Sequence, residues 1–275
     1  MHRILFICPT YGQFDYAKRC VTSFFQHSGP DDYCLVVDDA SPEVRANPSL
    51  SLTQLLCPEP FWPRFEAICF PTNGGLTRSW NAGLSAARGT FSGSFEYAIC
   101  GNSDILFTPN CLLPLIQLLE RPNWKLVGPV TNCPGAPQYG AQNVKHFVPD
   151  YQVTDDELAL LQTTNYLQAH HPVAACITHL NGFFLMAKTA TWWEGAFDAK
   201  HVFNPHNTFN SKGQRNPTPL MTLNEDELQR RWREKGWQIG FTPASFIFHY
   251  RAASRGAKYA RVEGAYRLAT EVKEE

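Results

Sequence analysis

The chain lacks any uninterrupted apolar run that approaches the ~20 residues needed to span a bilayer. It also lacks an excess of charge of either sign. Lys and Arg number 24 against 25 Asp and Glu, a formal net charge of −1. Such a balance gives no general electrostatic case for binding nucleic acid or an acidic membrane surface. Paired cysteine spacings are missing as well. The nine cysteines are scattered singly with no C-x-x-C pair, which argues against both a disulfide framework and a zinc site. Reduced, mostly buried thiols in a reducing compartment fit that usage better. The opening apolar run, residues 3–8, is too short for a signal-peptide core and runs straight into Pro9. No internal repeat or low-complexity segment is present. What remains is 275 residues at 44% hydrophobic and 18% charged, a globular composition with ample core for one large domain or two small ones. The expectation is a soluble cytoplasmic protein, or one peripheral to a membrane, with its oligomeric state open.

Residues 3–8 form a near-continuous apolar run closed by Pro9, as a buried parallel strand requires. Residues 16–27 carry Ala17, Cys20, Val21, Phe24 and Phe25 at helical spacing and stop at Ser28, Gly29 and Pro30. A second strand at 34–37 follows, so strand, helix and strand already favour a parallel α/β sheet. Residues 43–66, rich in proline, read as an irregular surface excursion. The pattern continues with a strand at 67–70, a helix at 77–88, a strand at 97–100, a helix at 109–119 and a strand at 125–129. The second half changes character. Residues 132–151 read as a long loop, and long loops in compact domains are often functional. Thr154 with Glu157 reads as a capping box opening a helix to about residue 170. A strand interrupted at Asn181 and Gly182 is expected over 177–187. A helix runs from Asn224 to about 235, and short strands lie at 237–242 and 245–249. The end of the chain, 256–275, reads as a helical tail.

The residue that organises this pattern is Asp104. It follows the apolar strand at 97–100 through the elbow Gly101, Asn102, Ser103. Ligands in open α/β sheets bind at such strand ends, and an ionised carboxylate among apolar residues needs a partner or a metal. Hard divalent ions take oxygen ligands, and Mg²⁺ is commonly held by one or two carboxylates plus substrate phosphates.

Other polar clusters fall at strand ends too. Pro9, Thr10 and Tyr11 follow the first strand and Asp38 and Asp39 the second, so they can converge on one crevice. A carboxylate there can accept from a ribose hydroxyl or a base imide, while Tyr11 can stack on a base. Asn73, Gly74 and Gly75 open a helix carrying Arg78 and Asn81, a plausible anion or nucleobase contact. Asn224 and Glu227 read as a capping box, which leaves Glu225 and Asp226 unexplained. A carboxylate there suits a general base only if burial raises its pKa.

Taken in order, these clusters resemble the family 2 nucleotide-diphospho-sugar glycosyltransferases of the GT-A fold, over about residues 3–255. The matching pieces are 7–11 (ICPTY), 36–41 (VVDDAS), 73–84 (NGGLTRSWNAGL), 101–105 (GNSDI), 181–185 (NGFFL), 225–231 (EDELQRR) with Gly236, and 248–254 (FHYRAAS). The resemblance implies an α/β fold with a mixed, mostly parallel central sheet flanked by helices. It implies a nucleotide-binding half at 1–130 and an acceptor-binding half at 131–255. Pro9, Thr10, Tyr11, Asp39 and Arg78 would hold the nucleoside, with Asn73, Asn102 and Ser103 beside it. Asp104 would stand where the family's D-x-D motif binds Mn²⁺ or Mg²⁺, with His249 as the late metal or diphosphate ligand. Asn181, Gly182 and Trp192 would meet a glycan or other hydroxyl acceptor. Trp193 is a further stacking candidate, and the 132–151 loop a candidate lid. The base would be Glu225 if the motif is anchored on Leu228 and Arg231, or Asp226 if it is anchored on the Glu-Asp pair, with Glu225 preferred. Two departures stand out: Asn102 replaces the first acid of D-x-D, and the family's E-D-x-D-L is shortened. Rival readings are a sugar-phosphate nucleotidyltransferase and a non-catalytic nucleotide-sugar binding module.

Overall fold

The computed structural model describes residues 3–89, 95–134, 137–206 and 224–250. Its strands are β1 (Ile4–Thr10), β2 (Tyr33–Asp38), β3 (Phe65–Cys69), β4 (Tyr97–Gly101), β5 (Ile105–Phe107), β6 (Trp124–Val130), β7 (Ala175–Cys176), β8 (Phe184–Lys188) and β9 (Gln238–His249). The helices are α1 (Phe14–His27), α2 (Pro42–Ala46), α3 (Leu52–Leu56), α4 (Gly75–Arg88), α5 (Leu112–Leu119), α6 (Glu157–His170), α7 (Thr189–Glu194) and α8 (Asn224–Glu234). The strands form one sheet in the order β3-β2-β1-β4-β8-β6-β9-β5, with β7 paired to β9. Strands β3, β2, β1 and β4 are parallel. Strand β8 enters antiparallel to both β4 and β6, and β6 and β9 resume the parallel ladder. The expected mixed, mostly parallel sheet with flanking helices is what forms.

Strand pleating divides the core into two layers. From β1, Ile4, Phe6 and Cys8 point toward α1 and α5, packing with Phe24, Val21 and Leu115. Leu5 and Ile7 point to the other face, toward α4 and the tryptophans, with Trp80, Leu84, Trp192 and Trp232. Both faces of β1 are therefore covered, which is why its sequence is continuously apolar instead of alternating. Seven of the cysteines are buried, with Cys69 and Cys176 exposed, and all nine are free thiols. Burial pushes the thiols of Cys20, Cys34 and Cys100 well up. No helix among the described residues is long and apolar enough to cross a membrane.

Several local expectations are corrected. Residues 43–66 are not a bare surface excursion. They fold as α2, α3 and a 3₁₀ turn at Glu59–Arg64, and Leu52, Leu56 and Cys57 enter the core. Proline suits these short pieces because the first turn of a helix has no use for its missing N–H. The cap of α6 is Asp156, whose carboxylate accepts from the Ala159 N–H at 3.0 Å, while Thr154 only supports Asp156. Regular strand in the 177–187 stretch is confined to β8, and the two expected C-terminal strands are one, β9, with a register irregularity opposite Pro129 and Val130. Glu227, expected as a capping glutamate, pairs with Arg231 at 2.7 Å. The proposed tail, 256–275, lies outside the described residues.

Trp192 is the clearest correction among the site candidates. It is fully buried, its indole N–H donates to the Ala98 carbonyl at 3.1 Å, and it packs against Phe203 and Trp232. A ring enclosed on all sides cannot stack on a sugar. Trp192→Ala is expected to lower stability by about 3–5 kcal/mol through the cavity it leaves, read as a fall in the denaturant midpoint. Trp193, one position on, is half-buried with Arg88 over its ring at 4.5 Å.

Candidate active site

The carboxyl ends of β1, β2 and β4 share one edge of the sheet, and the strand-end clusters gather there. Pro9 and Thr10 are the buried last residues of β1, and Thr10 Oγ1 donates to the Gly12 carbonyl at 3.1 Å. Tyr11 then turns outward, 52% exposed. Asp38 holds this loop: it accepts from the Ser41 N–H at 3.1 Å and from the Ser41 hydroxyl, and Ser41 Oγ in turn accepts from the Gly12 N–H at 2.6 Å. Burial raises the Asp38 pKa, a shift those hydrogen bonds oppose.

Asp39 is buried and joins the end of β2 to the start of α4. Its carboxylate accepts from the N–H of Gly74 at 3.0 Å and of Gly75 at 2.6 Å, and pairs with Arg78. An anion on the first-turn amides of a helix is doubly favoured, by hydrogen bonding and by the helix dipole. A Cβ at position 74 would lie 2.2 Å from Arg78 Nε, so a side chain there would push the guanidinium off Asp39. Arg78 also lies over the Phe70 ring at 4.0 Å. Asn73 is exposed beside this cluster.

Across the edge, Asn102 and Ser103 are half-buried and Asp104 is buried. Asp104 faces His249 at the end of β9, with Oδ1 and Nε2 3.4 Å apart. The His249 Nδ1 lies 3.1 Å from the Cys133 carbonyl. A carbonyl only accepts, so Nδ1 carries a proton, and Nε2 is the ring nitrogen turned toward Asp104. The imidazole is stacked on Phe183, centroids 5.0 Å apart at 17°.

Phe183 belongs to a segment fixed from several sides. Its carbonyl accepts from the Asn102 N–H at 2.9 Å, and its N–H donates to Asn181 Oδ1 at 2.9 Å. Gln229 of α8 brackets Leu180, accepting its N–H at 2.7 Å and donating to its carbonyl at 2.9 Å. Gln142 accepts from the Asn181 N–H at 2.8 Å. Asn181 also donates to the Pro134 carbonyl. These contacts set Gly182 against Glu225 at the start of α8. Burial of the Glu225 carboxyl pushes its pKa up to about 7, the neighbouring Asp226 charge adds to the rise, and backbone N–H groups of Glu225 and Gly182 oppose it. Asp226 is turned toward His179, Oδ1 to Nδ1 3.3 Å. A Cβ at Gly182 would lie 2.8 Å from Glu225 Cδ, so Gly182→Ala must displace that carboxyl. A fall in turnover of about tenfold or more is expected, since an error near 1 Å in a reacting group is costly, with the melting temperature changed little by comparison.

Asp104, His249, Phe183, Gly182 and Glu225 thus form a continuous chain of contacts. Asn81, expected beside Arg78 as an anion or nucleobase contact, is instead buried, with its carboxamide accepting from the Val202 and Phe203 N–H groups and donating to the Phe203 carbonyl. The other nucleotide-side, metal and base candidates lie in the places described, along the edge built by β1, β2, β4 and β9. Sequence reasoning missed Asn132, Cys133, Gln142, Phe183 and Gln229. Asn132 follows β6 as Asp104 follows β4, so the same strand-end rule could have found it. Among the described residues no group of three or more His, Cys, Asp or Glu side chains is placed to hold a metal. The pair Asp104 and His249 fits a site completed by other oxygens. Adjacent ligands of an octahedral ion with bonds of about 2.1 Å sit about 3 Å apart, close to the spacing seen.

A mostly parallel sheet flanked by helices, with polar strand-end clusters gathered at its carboxyl edge, is the architecture of the GT-A transferases. The chain belongs to glycosyl transferase family 2, whose pattern matches residues 6–186. Among curated proteins no sequence matches it significantly. Similar solved structures include GalNAc-T7 with UDP, GalNAc and Mn²⁺, at a TM-score of 0.62 and 12% identity over 97% of this chain and 45% of that one. The mannosyltransferase PcManGT from Pyrobaculum calidifontis, in complex with GDP-Man and Mn²⁺, aligns at 0.58 and 15% identity over 93% of this chain and 59% of that one. S. aureus TarS 1-349 aligns at 0.52 and 14% identity over 90% and 60%. At these identities the likeness concerns the fold, and the chain spans about half the length of the proteins it matches.

Proposed function

We propose that the protein transfers a sugar from a nucleotide-diphospho-sugar, a UDP- or dTDP-sugar, to the hydroxyl of a glycan or other acceptor, with inversion at the anomeric carbon. The observation that carries this reading is the pairing of Asp104 with His249 within one contact chain of a half-buried, raised-pKa carboxylate, Glu225. Residues 1–130 supply the nucleotide side, with Thr10, Tyr11, Asp39 and Arg78 around the nucleoside and Asn73, Asn102 and Ser103 alongside. Residues 131–255 supply the acceptor side, with Asn181 and Gly182 next to the base.

Asp104 and His249 Nε2 are the residues that would hold Mn²⁺ or Mg²⁺. Such an ion, when bound, neutralises the diphosphate leaving group. Glu225 takes the proton from the acceptor hydroxyl as that oxygen bonds to the anomeric carbon, and the bond from that carbon to the diphosphate oxygen breaks, releasing the nucleoside diphosphate. Glu225 is preferred over Asp226 because its carboxyl lies against Gly182, whereas Asp226 is engaged with His179. Asn102 supplies an amide where a second acid is usual, which leaves the metal with fewer protein charges and a greater dependence on the diphosphate.

The free thiols and the absence of a long apolar helix among the described residues support a cytoplasmic setting. A nucleotidyltransferase would want a basic, glycine-rich turn after β1, and Pro9 to Gln13 contains no Lys or Arg. The test is nucleoside diphosphate release from a panel of UDP-, dTDP- and GDP-sugars with Mn²⁺ or Mg²⁺ and simple sugar acceptors. Metal-dependent release with at least one donor is expected. If no nucleotide sugar binds or turns over, the reading fails.

A further inference from the structure

Strands β6 and β9 are parallel neighbours up to the pair Val130 and Phe246. Beyond it β6 ends, while β9 runs on to His249. The backbone of His249 therefore reaches a buried position with no strand on that side to pair with. Buried backbone donors and acceptors are costly to leave unmade. Asn132 fills the gap with its side chain. Its Oδ1 accepts from the His249 N–H at 2.7 Å and its Nδ2 donates to the His249 carbonyl at 3.1 Å. A carboxamide carries the same donor and acceptor as a peptide group, so Asn132 acts as one further rung of the ladder. It is itself buried, and the Thr131 hydroxyl donates to its Oδ1 at 3.3 Å. The next residue, Cys133, presents the carbonyl that fixes His249 Nδ1. One dipeptide thus holds the backbone of His249 and the tautomer of its ring.

We infer that Asn132 is a positioning residue for the metal: through the backbone of His249 it aims the imidazole Nε2 at the ion shared with Asp104. The inference rests on the reading of Asp104 and His249 as metal ligands. Partners that orient a ligating histidine are commonly worth 10- to 100-fold in metal affinity. No carboxylate could replace Asn132 in full, because it would keep the acceptor and lose the donor.

The test is Mn²⁺ binding to the full chain, followed by the loss of the free-ion signal in electron paramagnetic resonance with UDP present. Asn132→Ala is expected to weaken Mn²⁺ binding at least tenfold while UDP affinity measured without metal changes less than twofold. A general loss of structure would lower both. His249→Ala separates the layers of the argument. If it leaves Mn²⁺ binding unchanged, the metal reading itself is wrong. If it abolishes binding but Asn132→Ala binds Mn²⁺ as wild type does, only the positioning role falls. Should Asn132→Ala fail to fold, the near-isosteric Thr131→Val, which removes the hydroxyl held against Asn132 Oδ1, is read instead. A two- to fivefold loss is expected from it, and wild-type affinity would overturn the inference.

Discussion

Asp104→Asn is expected to reduce kcat/KM for glycosyl transfer by about a thousandfold, since neutralising charge on a leaving group is worth several kcal/mol of barrier. The substitution keeps the size of the side chain and removes its charge. Asn102 precedes it two positions earlier, so the variant would carry amides at both ends of the elbow and no carboxylate there. The main chain at Asp104 is independently tied, its carbonyl accepting from the Tyr250 N–H at 2.9 Å. The fold should therefore survive, and circular dichroism would show a melting temperature close to that of wild type. Loss of turnover with the fold intact is the expected pairing. Retained turnover would overturn the assignment of this carboxylate to the ion.

Glu225→Gln is expected to lower kcat by about 10²- to 10⁴-fold, the usual contribution of a general base. It should also change the pH behaviour in two opposite ways. The base must be ionised, so wild-type activity should rise through a pKa of about 7 and the limb should vanish in the variant. Stability moves the other way. The folded state holds the proton more tightly than the unfolded chain, whose glutamate ionises near 4.5. Ionisation of this half-buried carboxyl therefore destabilises the fold. The penalty is absent below pH 4.5, grows through the interval and is complete above 7, on the order of 3 kcal/mol. Glu225→Gln removes it, so the variant should be the more stable protein at pH 8 and little different at pH 4.5, as urea denaturation at the two pH values would show. A less active but more stable variant is the mark of a strained catalytic group.

Much of this was legible because parallel strands buried on both faces write continuous apolar runs, and polar residues that interrupt them fall at the sheet edge where ligands bind. Asp39 and Asp104 are legible as candidates that way, whereas His249 becomes one only through the family resemblance. The rest depends on neighbours distant in sequence. Trp192 and Trp193 are adjacent, yet about 100° apart on a helix, and nothing local says that Trp192 faces Trp232 and Phe203. The choice between Glu225 and Asp226 turns on which of them meets Gly182, more than forty residues earlier. The strand-end rule points to Asn132 as a candidate, but its task is not local: it arises only because β6 pairs no further than Val130 while β9 runs on to His249. Local hydrogen bonding also moves an expected cap, as where Asp156 and not Thr154 caps α6.

The central claim is that Asp104 and His249 recruit a nucleoside diphosphate through a divalent ion. Calorimetric titration of UDP into wild type and Asp104→Asn, each with and without Mn²⁺, tests it most directly. Wild type should bind UDP at least tenfold more tightly with Mn²⁺, and the variant should show no gain from the metal. Equal affinity with and without Mn²⁺ in wild type, or an undiminished metal gain in Asp104→Asn, would contradict the account.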